Sequence, residues 1–295
     1  MSLRIAFVHP WSRAKWAEPL VWDGLHGALE IIGKKHQLDW FLEDDVPDDS
    51  YDWILPWGVG SLPFNNTIEK YKARKALICA GHPDDLANID KFNCVFVESP
   101  AVYEKMRPFC QRIVLAFGTD TDFFRPPNQF HEEPIKKMFD AFYPATYSPW
   151  KRQDLFAKAL EGYKAMTCGV IQLDGVNLYQ ECEQRGIYTM AGLVPTKLIA
   201  QLYNMSKVCV ITSWHGSERS ALEAMATNIP LVVTKDNELV CSLVSDQCFV
   251  AEPSPEGVRE AFLKALDSKV TTRDYIKEKY SHYIYARKIL DVLES

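Results

Sequence analysis

With 295 residues the chain has room for two domains of ordinary size. A hydrophobic fraction of 47% beside 24% charged residues excludes a disordered chain, and no apolar run reaches the roughly 18 residues that a membrane helix needs. A formal net charge of −6 speaks against broad electrostatic binding of nucleic acid, although a local basic patch stays open. The start, MSLRIAFVHP, runs straight into a strand over residues 3–9 and has no cleavage region of a signal peptide. Eight scattered cysteines lack any CxxC pair, which points to reduced thiols in the cytoplasm and away from zinc. The N-x-S/T triplets at Asn65 and Asn204 are then chance matches.

The loop after the first strand carries Trp11, Arg13, Lys15 and Trp16, and either is an ordinary wet loop or touches a substrate. A helix follows over about Leu20 to Ile32, with Leu25, Ala28, Leu29 and Ile32 at helical spacing. Short apolar runs at Leu38–Leu42, Trp53–Leu55, Ala76–Ala80, Cys94–Val97 and Ile113–Ala116 alternate with polar or helical segments, the rhythm of a parallel sheet. The acidic run at 43–49 is expected to be a solvated loop rather than a metal site. Trp57 and Gly58 lie just past a strand end and line a crevice in this reading; the glycine pattern is too weak to mean nucleotide binding. The stretch PPNQFHEEPI is proline-rich and polar, and residues 129–137 read as a linker, after which a second βα series starts at Met138.

The chain is organised around residues 207–234, KVCVITSWHGSERSALEAMATNIPLVVT. Val208 to Ile211 form a buried strand, and Thr212 to Gly216 a polar turn. Ser217 is placed to cap a helix whose packing face is Ala221, Leu222, Ala224, Met225 and Ala226. Asn228 and Pro230 end the helix, and Leu231 to Thr234 form the next strand. Open α/β sheets bind ligands at such strand ends, and a helix N-terminus suits a phosphate. Glu223 sits in the small, apolar run of that helix. Its spacing alone favours a solvated helix-face residue; a pair of acceptors for a ribose diol is the functional alternative.

This stretch resembles the signature of family 4 (group 1) glycosyltransferases, which have the two-domain GT-B fold. The match is carried by Gly216, Ser217, Glu223, Ala224, Met225, Ala226 and Pro230. The resemblance implies that Glu223 holds the ribose of a nucleotide sugar. The family's first Glu falls eight residues earlier, where this chain has His215, with Glu218 as the competing carboxylate. Gly118 to Pro126, GTDTDFFRP, matches the family's Gly-Val-Asp-Thr-Asp-x-Phe-x-Pro. The family's Gly-Arg turn and Lys align with Ala145, Thr146 and Lys151, which implies that Lys151 grips the diphosphate and that Arg152 adds charge. A Lys-Arg pair opening an amphipathic helix is otherwise usually solvated. Gly192, Val194 and Pro195 match a turn that lies beside the nucleobase in such proteins, and His82, after ALICAG, matches a histidine placed by the donor sugar. The first loop, with Trp11 and Arg13, and also Trp57 and Gly58, fall on the acceptor side.

The expected architecture is α/β: two Rossmann-like domains facing across a crevice, residues 1–128 on the acceptor side and 138–272 on the nucleotide side. Residues 273–295 return to the first domain as a helix. The expected function is transfer of a sugar from a nucleotide-diphosphate sugar to a hydroxyl, retaining and without a metal or other cofactor. The acceptor stays open among a small glycan, a small molecule and a polymer hydroxyl, a modified nucleobase included. The alternatives are a weakened GT-B module that binds a nucleotide sugar or a partner, and a nucleotide-sugar epimerase on the same fold.

Overall fold

The computed structural model describes residues 2–10, 22–42, 50–58, 68–80, 89–127 and 135–295. The chain divides into two compact units, Met1–Asp120 with Tyr280–Ser295, and Thr121–Lys279.

In the first unit, β1 (Arg4–Val8), β2 (Gln37–Phe41), β3 (Trp53–Pro56), β4 (Arg74–Ile78), β5 (Cys94–Val97) and β6 (Ile113–Leu115) form one parallel sheet. Their spatial order is β2-β1-β3-β4-β5-β6. A parallel strand covered on both faces needs an unbroken apolar run, and Ile5 to Val8 are fully buried. Helix α1 (Gly24–Lys35) starts later than its apolar spacing suggests, because Asp23 caps it. The Asp23 carboxylate accepts from the N–H groups of Leu25 (3.0 Å) and His26 (3.1 Å). Leu25, Ala28, Leu29 and Ile32 form its buried face, as the spacing predicts. Helix α2 (Pro100–Met106) is capped by Ser99, with proline at its first position.

In the second unit β7 (Phe139–Pro144), α3 (Gln153–Ala159), β8 (Ala165–Gly169), α4 (Val176–Gln184) and β9 (Tyr188–Ala191) run in one direction across the sheet. Then α5 (Thr196–Met205) brings the chain back, and β10 (Ser206–Ile211) pairs with the other side of β7. Helix α6 (Glu218–Ala226), β11 (Leu231–Thr234), α7 (Glu238–Val244), β12 (Phe249–Ala251) and α8 (Pro255–Leu266) complete the order β12-β11-β10-β7-β8-β9. The connections diverge between β7 and β10, and the loops at their carboxyl ends lie at the topological switch point of the sheet.

The chain changes unit earlier than residue 128, and it returns later than residue 273. Helix α9 (Arg273–Lys279) stays with the second unit. The Arg273 guanidinium donates to the carbonyls of Thr121 (2.7 Å), Phe124 (2.9 Å) and Ala226 (2.6 Å), which ties it there. Only α10 (His282–Leu293) belongs to the first unit, where it packs on α1 through Tyr285, Ala286, Ile289, Val292 and Leu293. Each such burial is worth about 1.5–3 kcal/mol for a large apolar side chain. Thr119 fastens its start, donating its N–H to Tyr280 O and accepting from the His282 N–H, both at 2.8 Å. The GTDTDFFRP motif therefore straddles the boundary instead of preceding it.

Candidate functional site

The first of the converging loops leaves β7 at Pro144. It lies tightly on the end of β8: Ala145 N–H donates to Cys168 O (2.9 Å) and Tyr147 N–H to Val170 O (2.8 Å). A Cβ on Gly169 would stand 2.2 Å from Ala145 O, so only glycine permits this approach. Thr146 is half-buried, and its carbonyl accepts from the amide of the buried Gln153 at 2.7 Å. A 3-10 turn over Pro149–Lys151 and a left-handed residue, Arg152 (φ 51°), then set the start of α3. Tyr143 O–H donates to Lys151 O at 3.0 Å.

The second loop leaves β10 with Thr212 and Ser213 fully buried. Gly216 (φ 70°) and Ser217 (φ 77°) are both left-handed. Ser217 was expected to cap α6, but in this conformation its hydroxyl makes no cap bond. It instead accepts from Lys151 Nζ at 2.8 Å, and His215 O accepts from the same ammonium at 3.4 Å. Lys151 and the start of α6 are thus joined across 66 residues of chain. Burial pulls the Lys151 ammonium down to about 8, with Glu218 opposing the shift.

Glu218 opens α6 and is buried, and desolvation raises its carboxyl above the ordinary value, against its own backbone N–H and Lys151. Glu223, one and a half turns on, is not the solvated residue that spacing favours: its side chain is 7% exposed. It accepts from Tyr203 O–H at 3.3 Å and lies 3.6 Å from Arg219 Nε. His215 is half-buried, its ring 5.9 Å from that of the exposed Trp214.

Arg152, expected to add charge beside the diphosphate, is engaged by acceptors of its own unit. Its guanidinium donates to Thr212 O, Thr234 Oγ1 (2.9 Å) and both carboxylate oxygens of Asp236 (2.8 and 2.9 Å). A forked pair with a carboxylate neutralises the charge and fixes the head group. Arg152 therefore straps the β7 loop to the strands beside it. Sequence reasoning passed over the turn after β11 altogether. Asn237 in it is fully buried and donates to Ser213 O (2.9 Å), Ser213 Oγ (3.0 Å) and Gly216 O (2.9 Å). A polar turn residue directly after a predicted strand was the signal on offer.

Gly192, Val194 and Pro195 stand at the carboxyl end of β9, two strands across from β7. Gly192 is left-handed (φ 107°), and its N–H donates to Gly169 O at 2.9 Å. In the first unit, Trp57 N–H donates to Val8 O (2.9 Å), and the Trp57 ring stands 4.9 Å from that of His9, a buried residue that sequence reasoning missed. Both lie at this unit's own switch point, between β1 and β3. Gly58 has a packing reason, since a Cβ there would stand 2.4 Å from Ala80 N. His82, Trp11, Arg13 and the acidic run at 43–49 lie outside the described residues.

Residues 141–268 match the family model described as Glycosyl transferases group 1. No curated protein sequence is significantly similar to the chain. Sucrose-phosphate synthase (tll1590) from Thermosynechococcus elongatus has a similar structure, with a TM-score of 0.74 at 14% identity over 99% of this chain and 98% of that one. Anabaena Alr3699/HepE, solved in complex with UDP and glucose, gives 0.70 at 14% over 99% and 100%. A trehalose-6-phosphate synthase, studied for glycosyl transfer with retention, gives 0.70 at 11% over 99% of each chain. At these identities the likeness shows the fold, which is GT-B. Among the described residues no helix is long and apolar enough to cross a membrane.

Proposed function

We propose that this glycosyltransferase moves a sugar from a nucleotide-diphosphate donor, held by the second unit, to an acceptor hydroxyl. The observation that carries the reading is the junction of Lys151 with Ser217 and His215 O at the start of α6. A cation, a helix N-terminus and two left-handed residues converge there, an arrangement suited to a diphosphate. Glu223, buried further along α6, is the acceptor pair for the ribose hydroxyls, and Gly192 to Pro195 are the turn beside the base. Thr146 and His215 face the donor, with Glu218 as the second carboxylate of the pocket.

In the proposed reaction the acceptor oxygen bonds to the anomeric carbon as the bond from that carbon to the phosphate oxygen breaks. The electron pair of the broken bond leaves on the diphosphate, and the acceptor's proton passes to a phosphate oxygen on the same face, which retains configuration. Lys151 and the N–H groups of α6 stabilise the growing negative charge, in place of a metal. Arg152 acts by position, since Asp236 already neutralises it. A nucleotide-sugar panel tests the reading: one donor should release free nucleoside diphosphate with an α-linked product from an α-linked sugar. Binding without release would favour the weakened module, for which the paired Arg152 and the histidine at 215 speak. No binding of any donor would overturn both.

A further inference from the structure

The turn after β11 touches both loops of the switch point and is used by neither the family signature nor the mechanism above. Four carbonyls of the β10 loop point at side-chain donors from elsewhere in the unit: Thr212 O at Arg152, Ser213 O and Gly216 O at Asn237, and His215 O at Lys151. A peptide plane whose carbonyl is held on one side presents its N–H on the other. In the Ser213 plane that N–H, on Trp214, donates to Trp150 O at 3.1 Å and ties the two loops together, while the other three bonds orient the N–H groups of Ser213, Gly216 and Ser217. Two of the four belong to one fully buried amide, whose Oδ1 is itself fixed by the Val240 N–H at 3.1 Å. Asp236, the next residue, holds Arg152 through both of its carboxylate oxygens. Arg152 sits at φ 51°, a conformation that a residue with a Cβ adopts only when its surroundings enforce it. Lys151 precedes it directly, so the Asp236 pair also fixes where the lysine stem begins.

We propose that Asp236 and Asn237 are positioning residues for the donor-binding loop: Asn237 sets the peptide planes of residues 213–217, and Asp236, through Arg152, sets the backbone that delivers Lys151. The proposal rests on the reading of that loop as the diphosphate site, but its geometric content does not. Lys151 meets the hydroxyl of Ser217 and the carbonyl of His215, and both lie between or beside the carbonyls that Asn237 pins. The charged groups that act on Lys151 are Glu218 and Arg219 of α6, while Arg152 is occupied by Asp236. Releasing the pins frees the loop, and the ammonium swings toward water.

The test uses the full chain as wild type, Asn237→Ala and Asp236→Asn, the second variant lying at a partly exposed carboxylate where the substitution keeps the side chain's size. The direct readout is the NMR titration of the Lys151 Cε resonance, assigned by its loss in Lys151→Met. The midpoint should rise from about 8 in wild type toward the ordinary lysine value, furthest in Asn237→Ala. Hydrogen exchange across residues 212–218 should quicken by about tenfold in Asn237→Ala. A purely structural role would lower the melting temperature and leave the Lys151 midpoint in place, and that result overturns the proposal. Exchange and midpoint unchanged in both variants also overturn it. UDP is then titrated separately: about tenfold weaker binding in Asn237→Ala links the clamp to the ligand. Failure of wild type to bind UDP or another nucleoside diphosphate overturns the donor-site reading, while the titration and the exchange still decide the clamp.

Discussion

The affinity of the protein for a nucleoside diphosphate should fall by about tenfold between pH 7 and pH 9, and replacing Lys151 by methionine should abolish the slope. Burial brings the Lys151 pKa down to about 8. About nine-tenths of the side chain is then charged at pH 7 and about one-tenth at pH 9. If only the cation receives the diphosphate, apparent affinity scales with the competent fraction, which gives the tenfold, or about 1.4 kcal/mol. The sign for stability is opposite. The folded value lies below the unfolded one, so between about pH 8 and pH 10.5 the unfolded chain holds more protons and folding grows more favourable as pH rises. Lys151 keeps partial contact with solvent, which limits that gain. Loss of binding with no loss of melting temperature is thus the signature. Calorimetric titration with UDP at constant ionic strength measures it, and pH values above 7 keep the last ionisation of the diphosphate out of the slope. A flat profile in wild type, or the same slope in Lys151→Met, refutes the assignment of the cation.

Glu223→Gln keeps an acceptor for Tyr203 but loses the charge, so nucleotide affinity should drop by about ten- to a hundredfold with the fold intact; unchanged calorimetry would remove Glu223 from the site. Gly216→Ala places a Cβ 3.0 Å from Lys151 Nζ at a left-handed position, and about 1–2 kcal/mol of backbone strain with a displaced ammonium should lower kcat more than melting temperature. Turnover should survive excess chelator, because the cation and helix N-terminus carry the diphosphate charge; loss on EDTA that manganese or magnesium restores would reveal a metal. If His215 faces the sugar, His215→Gln, which cannot ionise, should flatten a limb of the pH–rate profile while keeping partial activity, and a limb that persists beside an inactive Glu218→Gln would hand the role to Glu218.

The strands of both units were legible because a parallel strand buried on two faces must be written as a short unbroken apolar run. Ile5 to Val8, Cys94 to Val97 and Val208 to Ile211 could hardly be anything else. The meeting of Lys151 with the start of α6 was legible only through resemblance, since no spacing rule joins residues 66 apart. Glu223 shows where spacing misleads: its position between Leu222 and Ala224 says nothing of Tyr203, which arrives from α5 and packs against it. Arg152 shows a different limit. A basic residue beside a phosphate-binding lysine looks like a second phosphate ligand until its competitor is known, and that competitor, Asp236, lies 84 residues away. The forked pair gives Arg152 two charge-assisted bonds that are present before any ligand arrives, so a diphosphate would have to displace them to recruit it. Among the described residues Lys151 donates to neutral acceptors, a hydroxyl and a carbonyl, with Glu218 acting on it without a hydrogen bond, and exchanging those two bonds for a phosphate gains charge attraction. Of the two adjacent cations the arginine is thus engaged by its own loop, and the lysine is the one that the proposed diphosphate would recruit.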